Sequence, residues 1–314
     1  MGAVMMFLAL PLIAAVSTAP ASPSPDDTRN IALSTAIVQR IGDQLWPNWA
    51  QTEFAIDLLT ANGPAAINFS KPIAPPAFPT NLEATFPLSN GVPTIVIGEP
   101  QFTQANTPIR WSVTLLHEHF HQWQYTWPDY LTAIKALDLA PPGDTNAMWM
   151  LNYPFPYKDT QTDAGYVQLA HQLAAAVRAI GTPGFRPAAA AYITARKAFA
   201  SKLAPADYKY FAFQCWQEGV ARYTEIMVGR LAAGEHQRDP SFLTDTEATA
   251  LAQDSSATYD RTLKRLETKA LSEDERVNFY AFGAGEALIL DQLDPGWRTR
   301  YFSANLDLGA LLTS

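Results

Sequence analysis

TPIRWSVTLLHEHFHQWQYTWP, residues 107–128, is the stretch on which the chain turns. Thr107 followed by Pro108 is a helix start: the threonine can cap, and the missing proline N–H falls where a helix has no use for it. No breaker follows until Pro128, so the segment reads as one helix. Val113, Leu116, Phe120, Trp123 and Trp127 fall at helical spacing and form a stripe that would bury it against a core.

The other face carries chemistry. His117 and His121 stand four residues apart, one above the other on a helix, and can share one ion. Glu118 adjoins the first of them and can reach a water on that ion, which makes His117-Glu118-His119-Phe120-His121 an H-E-x-x-H sequence. His119 points to a different side and reads as a helix-surface residue or a support for the ligands. His171 and His236 have no partners in sequence and read as surface residues.

Upstream of Thr107 the pattern is different. NIALSTAIVQRIGDQLW (30–46) has helical spacing, and then FAIDLL (54–59) and AAINF (65–69) read as a hairpin across TANGP. A Pro-rich connector, KPIAPPAFPTN, leads to a second strand pair, ATFPL (84–88) and VPTIVIG (92–98), joined by SNG. Downstream, helical patterns recur around 162–180, 187–203, 208–232, 245–270 and 274–293. Strands followed by helices in one chain predict an α+β fold: a small mixed or antiparallel sheet in a strand-rich part, 22–106, and a helical part, 107–314, within a single domain, 22–314.

The chain of 314 residues carries a net charge of -8, which offers no basic face to nucleic acid or an anionic membrane. Residues 3–16 form an apolar run too short to span a bilayer, followed by the small-residue segment STAPASPSP. Residues 1–21 therefore read as a signal peptide cleaved after Ala21, and the product as periplasmic or secreted without stable membrane insertion. Cys215 is the only cysteine, so no internal disulfide forms and a four-cysteine structural zinc site is excluded.

A catalytic zinc keeps three protein ligands and one open position. The short arrangement H-E-x-x-H-x-x-G-x-x-H would put its glycine at Gln124 and its third histidine at Trp127, so it does not apply. WQEGVARYTE, residues 216–225, offers Glu218 and Glu225 instead, seven apart on one helical face.

These segments together resemble the gluzincins, in particular the aminopeptidase-N-like and glycyl-aminopeptidase-like groups, whose third ligand is the Glu of an E-G-x-A-x-Y segment. Glu218-Gly219-Val220-Ala221-Arg222-Tyr223 matches it, so the resemblance implies a zincin-like fold with Zn²⁺ on His117, His121 and Glu218. Glu225 would then orient a ligand or pair with Arg222. The same families carry a downstream Tyr-x-x-Gly whose phenol donates to the oxyanion, matched here by Tyr280-Ala281-Phe282-Gly283. The resemblance covers 91–293, with two departures: 97 positions separate His121 from Glu218, which demands a helical insertion, and no G-x-M-E-N segment occurs.

The implied activity is hydrolysis of a peptide or protein substrate, with Glu118 as general base and Tyr280 on the oxyanion. Two alternatives have the same site: a zincin-fold binding protein without turnover, and a zinc hydrolase of a non-peptide amide or ester. VPTIVIG is the candidate edge strand for an extended substrate. Trp123, Tyr125, Trp127 and Trp149 read as core rather than pocket lining.

Overall fold

Ser24 opens the first helix with a reciprocal cap, its hydroxyl accepting from the Asp27 amide while the Asp27 carboxylate takes the Ser24 N–H. This helix, α1 (Pro25–Leu45), begins five residues before the apolar spacing does, because capping and Pro25 at its first turn decide the start. The computed structural model describes residues 21–70, 78–144 and 147–312, so the signal-peptide reading of 1–21 lies outside the described residues except at Ala21.

Four strands follow: β1 (Ile56–Thr60), β2 (Gly63–Ile67), β3 (Glu83–Pro87) and β4 (Pro93–Gly98). Both expected hairpins form, β1 with β2 and β3 with β4. They join through a parallel pairing of β1 with β4, giving the order β2-β1-β4-β3. VPTIVIG is therefore an interior strand, paired on both sides, and not the edge; the edge beside it among the described strands is β3. Its uninterrupted apolar run reflects that position, since an interior strand covered on both faces has no polar side.

Alternation sorts the sheet into two faces. Ile56, Leu58, Ile95 and Ile97 join the main core, whereas Leu59, Leu88 and Val96 form a small cluster on the other side. Thr85 pairs with Ile95 and Glu83 with Ile97, so these two side chains share the main-core face at the sheet edge.

Against that face lies α2 (Pro108–Gln124), capped by Thr107 as expected and ending at Gln124, three residues short of Trp127. Its stripe is buried, and Gln122 Nε2 donates to the Ala55 and Pro93 carbonyls at 2.9 and 2.8 Å, tying the helix to the sheet. The remainder is helical, as the downstream patterns predict: α3 (Thr160–Arg178), α4 (Phe185–Ala200), α5 (Pro205–Gln214), α6 (Val220–Arg238), α7 (Asp245–Thr268) and α8 (Asn278–Leu293). The fold is thus α+β, a small four-stranded mixed sheet followed by a mostly helical part. Among the described residues no helix is long and apolar enough to cross a membrane.

Between α5 and α6 the helix widens into a π turn, Cys215–Gly219, which carries Glu218. Helix α8 crosses this turn in backbone contact: a Cβ on Gly219 would lie 2.4 Å from Gly283 Cα, and one on Gly283 would lie 2.1 Å from the Cys215 carbonyl oxygen. Gly283→Ala is expected to cost at least about 2 kcal/mol in denaturant unfolding, because rigid backbone must separate. Gly234→Ala, in α6 with nothing within 4 Å, should instead stabilise slightly. Equal effects would contradict the crossing.

Asp57, at the middle of β1, is fully buried and has no hydrogen-bond partner among the described residues. Burial pushes its carboxyl up to about 7. The native state thus retains a proton that the unfolded chain gives up near pH 4, so the penalty grows as pH rises and is complete above about 7. Asp57→Leu should raise Tm more at pH 8 than at pH 5; a gain independent of pH would refute this.

Candidate metal centre

Helix α2 presents His117 and His121 on the side away from its apolar stripe, with their Nε2 atoms 3.2 Å apart. Glu218 reaches in from the π turn, its Oε2 3.7 Å from His117 Nε2 and 3.5 Å from His121 Nε2. Three donor atoms therefore close a triangle with sides of 3.2 to 3.7 Å. A tetrahedral ion bound at about 2.05 Å requires ligand separations of about 3.3 Å, so the donor set fits one ion. Helices account for most of the described residues between His121 and Glu218, as the spacing demands.

The outer nitrogens are committed. His117 Nδ1 lies 2.6 Å from Glu225 Oε1, and His121 Nδ1 lies 2.7 Å from Gln124 Oε1. The Gln124 orientation is fixed in turn, since its Nε2 donates to Tyr301 Oη at 2.7 Å and that hydroxyl donates to the Trp216 carbonyl at 2.6 Å. With Nδ1–H donating outward on both rings, the nitrogen that deprotonates is Nε2, and its lone pair then faces the shared point, which is how supported metal-binding histidines are held. Glu225 itself is buried between Arg110, Arg222 at 2.9 Å and His117. Both expected roles of Glu225 thus coexist, and Arg110, which spacing alone did not single out, is the added partner.

Electrostatics follow from this packing. Burial alone would raise the Glu225 carboxyl, but the Arg110 and Arg222 guanidiniums and the His117 ring hold it well below the usual carboxylate range. Burial likewise opposes ionisation of Glu218, yet His121, His117 and Arg276 hold it low. Burial disfavours the charged His117 ring, but hydrogen bonds to Glu218 and Glu225 prevail and push it up to about 10.

Glu118 is also buried, and with His117 and His121 it forms a group whose ligand atoms lie within 4.8 Å of one another and which could hold a metal ion. Glu218 Oε2 stands nearer to both imidazoles than that limit. Glu118 Oε2 is engaged elsewhere: Thr85 Oγ1, on the edge strand, lies 2.8 Å from it and 3.0 Å from the Glu118 carbonyl. Glu83, two residues along the same face, is pushed up by burial and by the Glu118 charge. Neither residue carries a motif; only the register of β3 brings them to the site.

Tyr280, at the start of α8, packs its ring over His117 with centroids 6.3 Å apart and planes 16° from parallel. Arg276 Nη1 donates to its oxygen at 3.0 Å. Burial and the Glu218 charge push the phenol up, so it stays protonated and able to donate.

His119 is not a surface residue. It is fully buried, stacked on Phe54 with centroids 4.2 Å apart, and its Nδ1 lies 2.7 Å from Gln122 Oε1. Burial lowers it to about 4, so it is a neutral core ring. His171 is exposed as expected, while His236 is half-buried with Nε2 2.9 Å from Asp245.

No protein-family model, curated protein or solved structure matches this chain.

A metal-binding imidazole must be neutral, so an ion competes with the proton that Glu218 and Glu225 favour on His117. Metal affinity should therefore rise with pH up to about 10, and at pH 7 each ion bound should release at least about one proton. Titration calorimetry in two buffers of different ionisation enthalpy reads this directly. No buffer dependence would mean that His117 is already neutral.

Proposed function

We propose that the protein is an exported zinc-dependent peptidase of the gluzincin type, periplasmic or secreted, with His117, His121 and Glu218 as metal ligands. The observation that carries the reading is the triangle of two Nε2 atoms and Glu218 Oε2, with both Nδ1 atoms already committed to partners. Nitrogen and oxygen donors in threefold number, with no cysteine, suit a catalytic zinc better than a structural one. Zinc in that position supplies Lewis-acid chemistry, acidifying water toward neutral pH and polarising a carbonyl.

The chain's own residues supply the rest. Glu118, held by Thr85 rather than by the imidazoles, is the base that receives the proton of the attacking water and delivers it to the leaving amine. Tyr280, which accepts from Arg276 and stands beside Glu218, is the donor that would serve an oxyanion. The substrate class is a peptide, which could add to β3, the edge strand beside the centre among the described residues.

The test is zinc content after exhaustive dialysis together with hydrolysis of a peptide panel. About one zinc per chain is expected in the native protein and in Glu118→Gln, with a clear loss in Glu218→Ala. Hydrolysis by Glu118→Gln should fall by about 10²–10⁴-fold. Zinc without turnover on any peptide would favour the binding-protein alternative or a non-peptide amide or ester. Activity that survives Glu118→Gln would overturn the mechanism.

A further inference from the structure

Among the described residues, buried Arg196 is neutralised by Glu286 and Asp307, and half-buried Arg110 by Glu225 and Asp254. Arg276 is different. Its Nη1 donates to Tyr280 Oη at 3.0 Å and Gln214 Oε1 at 3.3 Å, two neutral groups. Its nearest carboxylate at the centre, Glu218, is 3.9 Å away and faces both imidazoles with its other oxygen. Both Nη1 hydrogens are thus used, whereas Nε and Nη2 have no partner among the described residues and the side chain is 21% exposed.

Arg222 stands beside it. Its guanidinium carbon is 5.8 Å from the Tyr280 ring centroid, against 5.4 Å for Arg276, and its side chain is 27% exposed with only Nη1 engaged, by Glu225. Two partly open guanidiniums therefore flank the tyrosine that packs over His117. Once Glu218 spends its charge on an ion, the Arg276 charge is left uncompensated at the edge of the centre. A guanidinium with a free fork of donors is built to take a carboxylate in two parallel hydrogen bonds.

We propose that Arg276, with Arg222 beside it, binds a substrate carboxylate next to the scissile bond, which makes the enzyme selective for peptides that present an anion there. One residue of extended chain spans about 3.5 Å, so a cation one carboxylate group away from the ion meets the end of a chain that stops one residue past the cleaved bond. The source so favoured is a free C-terminal carboxylate, and an acidic side chain offers the same chemistry. This inference rests on the zinc-peptidase reading.

The test uses the zinc-loaded protein and three phosphinic pseudodipeptides: one ending in alanine as the free acid, one in alanine amide, and one in glutamate amide. Dissociation constants come from calorimetry, and matched cleavable peptides give kcat/KM. The free acid should bind at least about 10-fold more tightly than alanine amide, and Arg276→Gln should bring that ratio close to one. The ratio within each variant cancels any uniform effect transmitted through Tyr280. Recovery of tight binding by glutamate amide identifies a side-chain carboxylate, and its absence identifies the C-terminus.

Equal binding of all three probes by the native protein, or a preference untouched in Arg276→Gln, would overturn the proposal while zinc and turnover leave the peptidase reading intact. No zinc, with no probe bound, would overturn both.

Discussion

Glu225 is the constraint on which the centre depends. A lone carboxylate at its depth would cost several kcal/mol, so it persists only because Arg110, Arg222 and the His117 ring all bond to it. Those partners lie on two helices. Arg110 opens α2 and also reaches Asp254 and Thr258 on α7, Arg222 shares α6 with Glu225, and His117 lies two turns further along α2. One carboxylate thereby ties α6 to α2 and sets the tilt of an imidazole, and Arg110 carries the connection on to α7. The orientation of the site and the packing of the helical part are consequences of the same desolvation problem.

The second half of the centre depends on a steric fact. E-G-x-A-x-Y and Y-x-x-G are far apart in the chain, yet their glycines, Gly219 and Gly283, meet in the crossing of α8 over the π turn. The absence of two Cβ atoms brings α8 close enough for Tyr280 to pack over His117 and for Arg276 to approach Glu218. In the sequence the two motifs read as separate signals; physically they are the two sides of one contact.

What could be read in advance followed local periodicity and capping. Thr107-Pro108 gave the start of α2, alternation gave both hairpins, and the four-residue spacing brought His117 and His121 to one face. Strand order was not legible, because a pattern of period two says which side chains share a face but nothing about neighbours, and so the interior strand β4 was mistaken for an edge. His119 misled for a related reason: a polar residue one step from a ligand looks exposed unless the Trp49 and Phe54 rings that enclose it are known. Thr85, Glu83, Arg110 and Arg276 reach the centre only through tertiary packing. Gln124, three positions after His121, and Arg222, three positions before Glu225, are the supporting residues with a local trace on their own helices.

The separation of the two ligand-bearing segments has a bearing on how the chain assembles. Contacts between the His117–His121 pair and Glu218 close a loop of 97 residues, 218 minus 121, and such contacts form late because the closure entropy falls due before any of them exists. The centre acts in this sense as a clasp: the inserted helices must find their places before it closes, and once closed it resists their leaving.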